Sequence, residues 1–272
     1  MACTAPTKGK LVMGKDKKDT QTVADRILAA NVDVLGVQEV EDIDTLKWFN
    51  REYLHGLYSH VVLVEGNDTR LIDVGLLSKL PVGAIVSWKE APDPQIPSER
   101  IFSRDLLQVE ILDAARKRLF WVFVNHLKSH FVVPPETEQA ANERRARQAT
   151  AVAAIVKQQT RPDTRYIIVG DMNDPPDSSW LDSLVNTSGL GLVNGIDKPT
   201  EIPAPPTGKF PTDTAWTDRY KPSGTPAQYR LFDQVWLSPA LAPAWKSAWI
   251  GRRKNLTGDG TDHDPAWVEL SI

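Results

Sequence analysis

Apolar residues first recur at helical spacing over residues 20–30, through Val23, Ala24, Ile27 and Leu28, and a compact apolar run follows at 32–37. That order predicts a helix and then a buried strand. Residues 43–54 repeat the helical spacing through Leu46, Phe49 and Leu54. Runs rich in β-branched residues at 58–64, 73–77 and 82–88 predict three successive strands. Beyond the proline-rich segment 91–97, the runs 106–112 and 119–124 flank a charged turn at 113–118 and predict a hairpin. Residues 139–159 form the longest helical pattern, with Ala149, Val152, Ile155 and Val156 as its inner stripe. Strands are expected at 166–169, 232–237 and 266–270, the last directly after a polar turn at 258–264. The stretch 196–226 is rich in proline, glycine and threonine without a sustained period, and reads as a long surface loop.

Strands and helices thus alternate in two batches, which predicts two sheets packed face to face with helices outside, a layered α+β or α/β sandwich. Composition narrows the class. The 272 residues include 32 basic and 35 acidic side chains, a net charge of −3, with 41% hydrophobic and 25% charged residues. Those values exclude disordered and collagen-like chains and argue against indiscriminate polyanion binding. Lys8, Lys10, Lys15, Lys17 and Lys18 mark residues 1–18 as a mobile basic segment, leaving 19–272 as a single domain. The lone Cys3 forms no internal disulfide, so any metal site must use oxygen and imidazole ligands. No apolar stretch is long enough to span a bilayer, and the opening residues lack an apolar signal core. A soluble chain is expected; compartment and oligomeric state stay open.

Polar clusters sit just beyond the apolar runs: Gln38-Glu39, Asn125-His126, Gly170-Asp171-Met172-Asn173 and Asp262-His263, with Asp233 a lone acid in an apolar strand. Singly, each has an ordinary explanation as a helix cap, a turn initiator, a surface ion or a satisfied core histidine. Together, five strand ends deliver carboxylates, a carboxamide and two imidazoles, a set suited to a hard divalent cation and phosphate chemistry.

In this order, DVLGVQEVE (33–41), FVNHLKSH (123–130), IIVGDMNDPPDS (167–178), RLFDQVWLS (230–238) and GTDHDPAWVEL (260–270) resemble the endonuclease/exonuclease/phosphatase superfamily. The resemblance runs from Val23 to the end of the chain. It implies a four-layered α/β sandwich and a phosphoester hydrolase using Mg²⁺ or Mn²⁺. By the same resemblance Glu39 is the primary metal ligand and Asp262 a second. Asp171 and Asn173, two apart on an extended chain and so pointing the same way, position the attacking water and hold phosphate or metal. Asp233 fixes the tautomer of His263, and His126 stabilises charge on the phosphoryl group or protonates the leaving oxygen. Glu65 is a candidate to orient His126, and Arg104 and Lys128 are candidate phosphate contacts; a solvated surface position is an equal alternative for all three. The sequence departs from the family pattern near its start, where KLVMGKDKK offers no asparagine.

A phosphodiesterase, in particular a nuclease, is the leading expectation, since Arg144, Arg145, Arg147, Arg252, Arg253 and Lys254 could track a nucleic-acid backbone. A solvated helix face is the favoured alternative for the first three. The second expectation is a phosphomonoesterase or a phosphodiesterase on a sugar, inositol or lipid headgroup. Its specificity would come from loops 91–105, 131–138 and 196–226, the last carrying Trp216, Tyr220 and Tyr229 for stacking or, preferably, packing. The nine tryptophans read mostly as core residues. A binding protein of the same fold with impaired catalysis is the third.

Overall fold

A computed structural model describes residues 16–202, 211, 215–253 and 260–272. Helix α1 spans Lys17–Ala30. It opens three residues earlier than periodicity suggests because the Asp16 side chain accepts from the Asp19 amide at 2.7 Å. Lys17 and Lys18 are therefore helical rather than part of a mobile tail, while residues 1–15 lie outside the described residues. Strand β1 (Val34–Val40) follows, then α2 (Ile43–Glu52), capped by Asp42, and strands β2 (His60–Leu63), β3 (Asp73–Ser78) and β4 (Val82–Ser87). The expected hairpin is present as β5 (Leu107–Leu112) and β6 (Arg118–His126), with Leu107 opposite Val124. The long helix α3 spans Glu138–Gln159, capped by Thr137, and leads to β7 (Tyr166–Asp171).

The expected long loop is interrupted. A short α4 (Asp182–Val185) and β8 (Val193–Asn194) precede β9 (Thr200–Ile202), β10 (Asp218–Tyr220) and β11 (Gln228–Arg230). The main-chain groups of β8 and β9 find partners far along the chain, which local periodicity does not show. β9 runs parallel to β13 (Trp245–Gly251), itself unanticipated, and β10 pairs with β11. Strands β12 (Asp233–Leu237) and β14 (Ala266–Leu270) fall where expected, and residues 254–259 of the polar turn lie outside the described residues.

A six-stranded sheet, ordered β4-β5-β6-β7-β12-β8, forms one central layer. On one face Phe123, Tyr166, Ile168 and Trp236 pack against Ala149, Val152 and Val156 of α3 and Leu184 of α4. On the other, Val109, Val122, Val124, Val235 and Leu237 pack against the three-stranded sheets β1-β3-β2 and β14-β13-β9 through Val62, Val74, Leu76, Ala248 and Ile250. Helices α1 and α2 cover the far side of β1-β3-β2 with Ala24, Ile27, Leu46 and Phe49. The result is an α/β sandwich, its sheets antiparallel apart from the β6–β7 and β9–β13 pairs. Alternation supplies both faces: in β3, Leu76 points to one core and Leu77 to another.

The tryptophans correct one expectation. Only Trp216 and Trp236 are buried, whereas Trp48 and Trp245 are exposed. The large indole spans a layer edge while its N–H reaches a partner, as Trp88 does to Gln108 at 3.0 Å. No helix among the described residues is long and apolar enough to cross a membrane.

Candidate active site

Sheet register assembles the centre. β6 and β7 are parallel with His126 beside Asp171, and β7 and β12 are antiparallel with Asp171 beside Asp233. Three strands separated by long stretches of sequence therefore end in one row, His126, Asp171, Asp233. Gly170 makes the row close: at φ +130°, a Cβ there would sit 2.0 Å from the Asn125 carbonyl oxygen.

Past Asp171 the chain turns instead of staying extended, which corrects the expected geometry. Asn173 adopts φ +52°, and its amide N–H donates to Asp171 Oδ1 at 2.8 Å. Both hydrogens of its carboxamide are committed, to the Leu127 carbonyl at 3.0 Å and Asp171 Oδ2 at 3.1 Å. Asn173 thus offers only an acceptor oxygen to a ligand.

Across the row, His263 Nδ1 meets Asp233 Oδ2 at 2.6 Å. Burial disfavours a charged His263, but the carboxylates of Asp233, Asp171 and Asp262 outweigh it and hold the imidazole well above its ordinary value. Asp171 moves up as well, through burial first, with Asp233 and Glu39 adding to it and His263 opposing. His126 goes the other way. It is 5% exposed, and burial, Arg104 and His263 push its proton affinity well down, leaving a neutral ring with Nε2 3.6 Å from Asp171 Oδ2.

Glu39 projects from a bulge where β1 slips against β3 between Val37 and Val40, at φ +58°, with its side chain exposed. It contributes to the field at Asp171, Arg104 and Arg70. Asp262 is exposed and acts on His263 and Asp218. Beside it, buried Asp264 accepts from Arg26 at 2.6 Å, Arg252 at 3.2 Å and Arg253 at 3.0 Å, pinning the Asp262-His263 turn to α1 and the end of β13. Among the described residues no three His, Cys, Asp or Glu side chains converge as a metal cage. The donor set still fits Mg²⁺, which is held through one or two carboxylates and keeps several waters. Exposed Glu39, which acts electrostatically on Asp171, and the acceptor oxygen of Asn173 are the groups that could hold such an ion.

The three weaker candidates are placed differently. Glu65 is exposed, and among the described residues its main-chain oxygen accepts from Lys89 at 2.8 Å while no contact to His126 is present. Lys128 is held by Glu136 and the Phe131 carbonyl, both at 3.0 Å, which satisfies its charge inside its own loop. Arg104 is 2% exposed and turned to Asp68 at 3.3 Å and the Leu127 carbonyl at 3.4 Å, so it is not solvated; it lies beside the centre, acting electrostatically on His126 and Asp171.

The arginine clusters are corrected in the same way. Arg145 is fully buried on Asp174 at 3.0 Å, Arg147 pairs with Asp93 at 2.9 Å, and Arg252 and Arg253 serve Asp264. Buried cations need internal carboxylates, and for Arg145 and Arg147 these carboxylates lie far away in sequence. Lys254 is outside the described residues. Trp216 packs edge-on to Tyr229 at 4.9 Å, under the Arg252 guanidinium at 3.7 Å, as the packing alternative expects. Sequence reasoning missed Asp174, which braces the turn after Asp171, and Asp218, whose Oδ1 lies 3.9 Å from His263 Nε2. Asp174 was legible as the last acid of the GDMND string; Asp218 carried no local signal.

The sequence matches the model of the Endonuclease/Exonuclease/phosphatase family over residues 13–263. The chain therefore belongs to that family. Among solved structures it is similar to an AP endonuclease from Archaeoglobus fulgidus, with 15% identity over 93% of this chain and 94% of that one and a TM-score of 0.64. A mannosyl-6-phosphatase from Bacteroides thetaiotaomicron has 15% identity over 93% and 91%, with a TM-score of 0.61. TDP2 from D. rerio, in complex with a single-strand DNA product, has 12% identity over 98% and 94%, with a TM-score of 0.62. At such identities the likeness establishes the fold. No curated protein sequence matches.

Proposed function

We propose that residues 19–272 act as a single-domain, divalent-metal-dependent phosphoester hydrolase, a phosphodiesterase of the nuclease type working by in-line water attack. Family membership supports phosphoester hydrolysis as the reaction class. The observation that carries the finer reading is the Asp233–His263 pair at 2.6 Å, set in line with Asp171 and His126 at adjoining strand ends.

Asp171 takes the proton of the attacking water. Its carboxylate is locked by Asn173, and its raised proton affinity suits a base working near neutral pH. Asn173 Oδ1 accepts a hydrogen bond from that water and orients it. His263, kept protonated by Asp233, donates from Nε2 to a phosphate oxygen and opposes the charge that builds there. His126, neutral, cannot supply an imidazolium proton to the leaving oxygen; it donates a hydrogen bond. Glu39, with Asp262 as second candidate, would hold Mg²⁺ or Mn²⁺, which supplies charge neutralisation on the phosphoryl group.

A specific observation favours the second reading, a small phosphoester of a sugar, inositol or lipid headgroup: of the arginines that could have tracked a polymer backbone, Arg145, Arg252 and Arg253 are buried on internal carboxylates. The third reading, a catalytically impaired binder, turns on the absent N-terminal asparagine, and residues 1–15 lie outside the described residues. Initial rates on bis(4-nitrophenyl) phosphate, 4-nitrophenyl phosphate and plasmid DNA, each with Mg²⁺, Mn²⁺ or chelator, test all three. Chelator-sensitive diester or DNA cleavage is expected. Monoester cleavage alone would move the assignment to the second reading, and silence on every substrate would refute the hydrolase.

A further inference from the structure

Beside the Asp233–His263 pair, the β10–β11 ribbon carries a layered set of planar groups that the hydrolytic chemistry leaves unused. Asp218 forms an isolated backbone bridge with His263. Its register partner across the ribbon is Arg230, whose Nε and Nη2 meet Asp218 Oδ2 at 2.7 and 2.6 Å. The guanidinium carbon lies 4.4 Å from the Phe232 ring centroid and 5.3 Å from that of Tyr220. Phe232 in turn stacks on His130, 5.7 Å between centroids and 16° between planes. Tyr220, Arg230, Phe232 and His130 therefore form one continuous stack that runs from the ribbon to the loop after β6. Tyr220 ends it, 51% exposed.

Three properties of this stack select a ligand. The bidentate Asp218 bond fixes Arg230 behind the Tyr220 ring, so the ring is backed and ordered before anything binds, which lowers the entropic cost of stacking. The same bond balances the Arg230 charge, so the stack offers a flat, polarisable face and not a second anion site. Position supplies the third property. Asp218 and Tyr220 are two residues apart on one face of a strand, about 7 Å, which places the ring within the reach of a nucleoside whose phosphate rests at His263. Gln228, opposite Tyr220 in register and exposed, adds a carboxamide at the ring's edge, where a base presents hydrogen-bonding groups.

The geometry points to a nucleobase subsite: Tyr220, backed by Arg230, stacks on the base carried by the phosphate at the Asp233–His263 pair. This deepens the phosphodiesterase reading and rests on it for the position of the phosphate. It gives the substrate a base even though Arg145, Arg252 and Arg253 are buried and do not track a polymer, and so favours short single-stranded or nucleotide substrates, whose bases are free to stack.

Calorimetric titration of the full chain in chelator, which prevents turnover, tests the subsite with a hexathymidylate phosphorothioate and an abasic strand of equal length and charge. Wild-type protein should bind the base-bearing strand about 5- to 150-fold tighter, the span supplied by one base–aromatic stack. Tyr220→Ala should remove that preference and leave abasic binding unchanged, while Tyr220→Phe retains it; melting temperatures of both variants verify folding. Equal wild-type affinity for the two strands, no binding to either, or a preference that survives Tyr220→Ala would overturn the subsite. Hydrolysis of bis(4-nitrophenyl) phosphate, measured separately, keeps the two ideas apart. A base preference without hydrolysis sinks the phosphodiesterase reading alone, and hydrolysis without a base preference sinks the subsite alone.

Discussion

Asp233→Asn changes charge without volume at the 2.6 Å contact with His263 Nδ1. A hydrogen bond to a charged partner contributes about 1.5–3 kcal/mol, and about 1.4 kcal/mol corresponds to one pKa unit. With the carboxylate gone, burial is opposed by the remaining carboxylates, Asp171, Asp262 and Asp218, so the His263 pKa should fall. Titration of the His263 ring by NMR in chelator reads this directly. Diester turnover should drop about 10²- to 10⁴-fold, the range for losing a positioned proton-handling group. Stability adds a third readout. Because the folded-state value of His263 is raised, the pair stabilises the fold below the ordinary imidazole value and ceases to do so as pH climbs through the raised one. The variant should therefore lose more stability at pH 6 than in strongly alkaline solution. A folded variant whose His263 titrates as in the wild type would refute the assignment of Asp233 as its charge partner.

Burial raises Asp105 to about 6 and leaves its Oδ2 without a partner among the described residues. The folded state thus holds that proton more tightly than the unfolded one, and ionisation costs stability as pH rises from about 4 to 6, by up to about 3 kcal/mol. Asp105→Asn should lose that slope in urea unfolding at pH 4.5 and 7.5; parallel curves for the two proteins would show the cost lies elsewhere. Arg145→Met strands buried Asp174 and should cost about 3–5 kcal/mol, with Arg145→Met/Asp174→Asn recovering part of it. No recovery in the double variant would mean that lost packing, not the orphaned charge, sets the cost. For Glu39→Gln, the rise in melting temperature with Mg²⁺ or Mn²⁺ should shrink, since a ligand at 100 times its Kd stabilises by about 2.7 kcal/mol; an undiminished rise would remove Glu39 from the metal shell.

Much of the scaffold was legible because its signals are local. Helical stripes and apolar runs located α2, α3 and the β5–β6 hairpin to within a few residues. The polar clusters were visible too, since an apolar run that ends in Glu39, His126 or Asp171 is a pattern of neighbours. What escaped was pairing at a distance. β9 and β13 satisfy each other's main chains across about fifty residues, and neither segment, alternately buried and exposed, announces itself alone.

The sequence by itself determined the fold class, the candidate residues and the order in which they lie along the chain. Tertiary structure decided which of them meet, and what charge each holds. Register across β6, β7 and β12 brings His126, Asp171 and Asp233 into one row, and burial then separates their proton affinities, lowering His126 while carboxylate neighbours raise His263. The basic residues show the same division. Arg145, Arg252 and Arg253 read identically to surface arginines in sequence, yet each is buried because the fold brings Asp174 or Asp264 against it to neutralise it. The free energy of a charge depends on its solvent and its partner, and both are set only when the chain has folded.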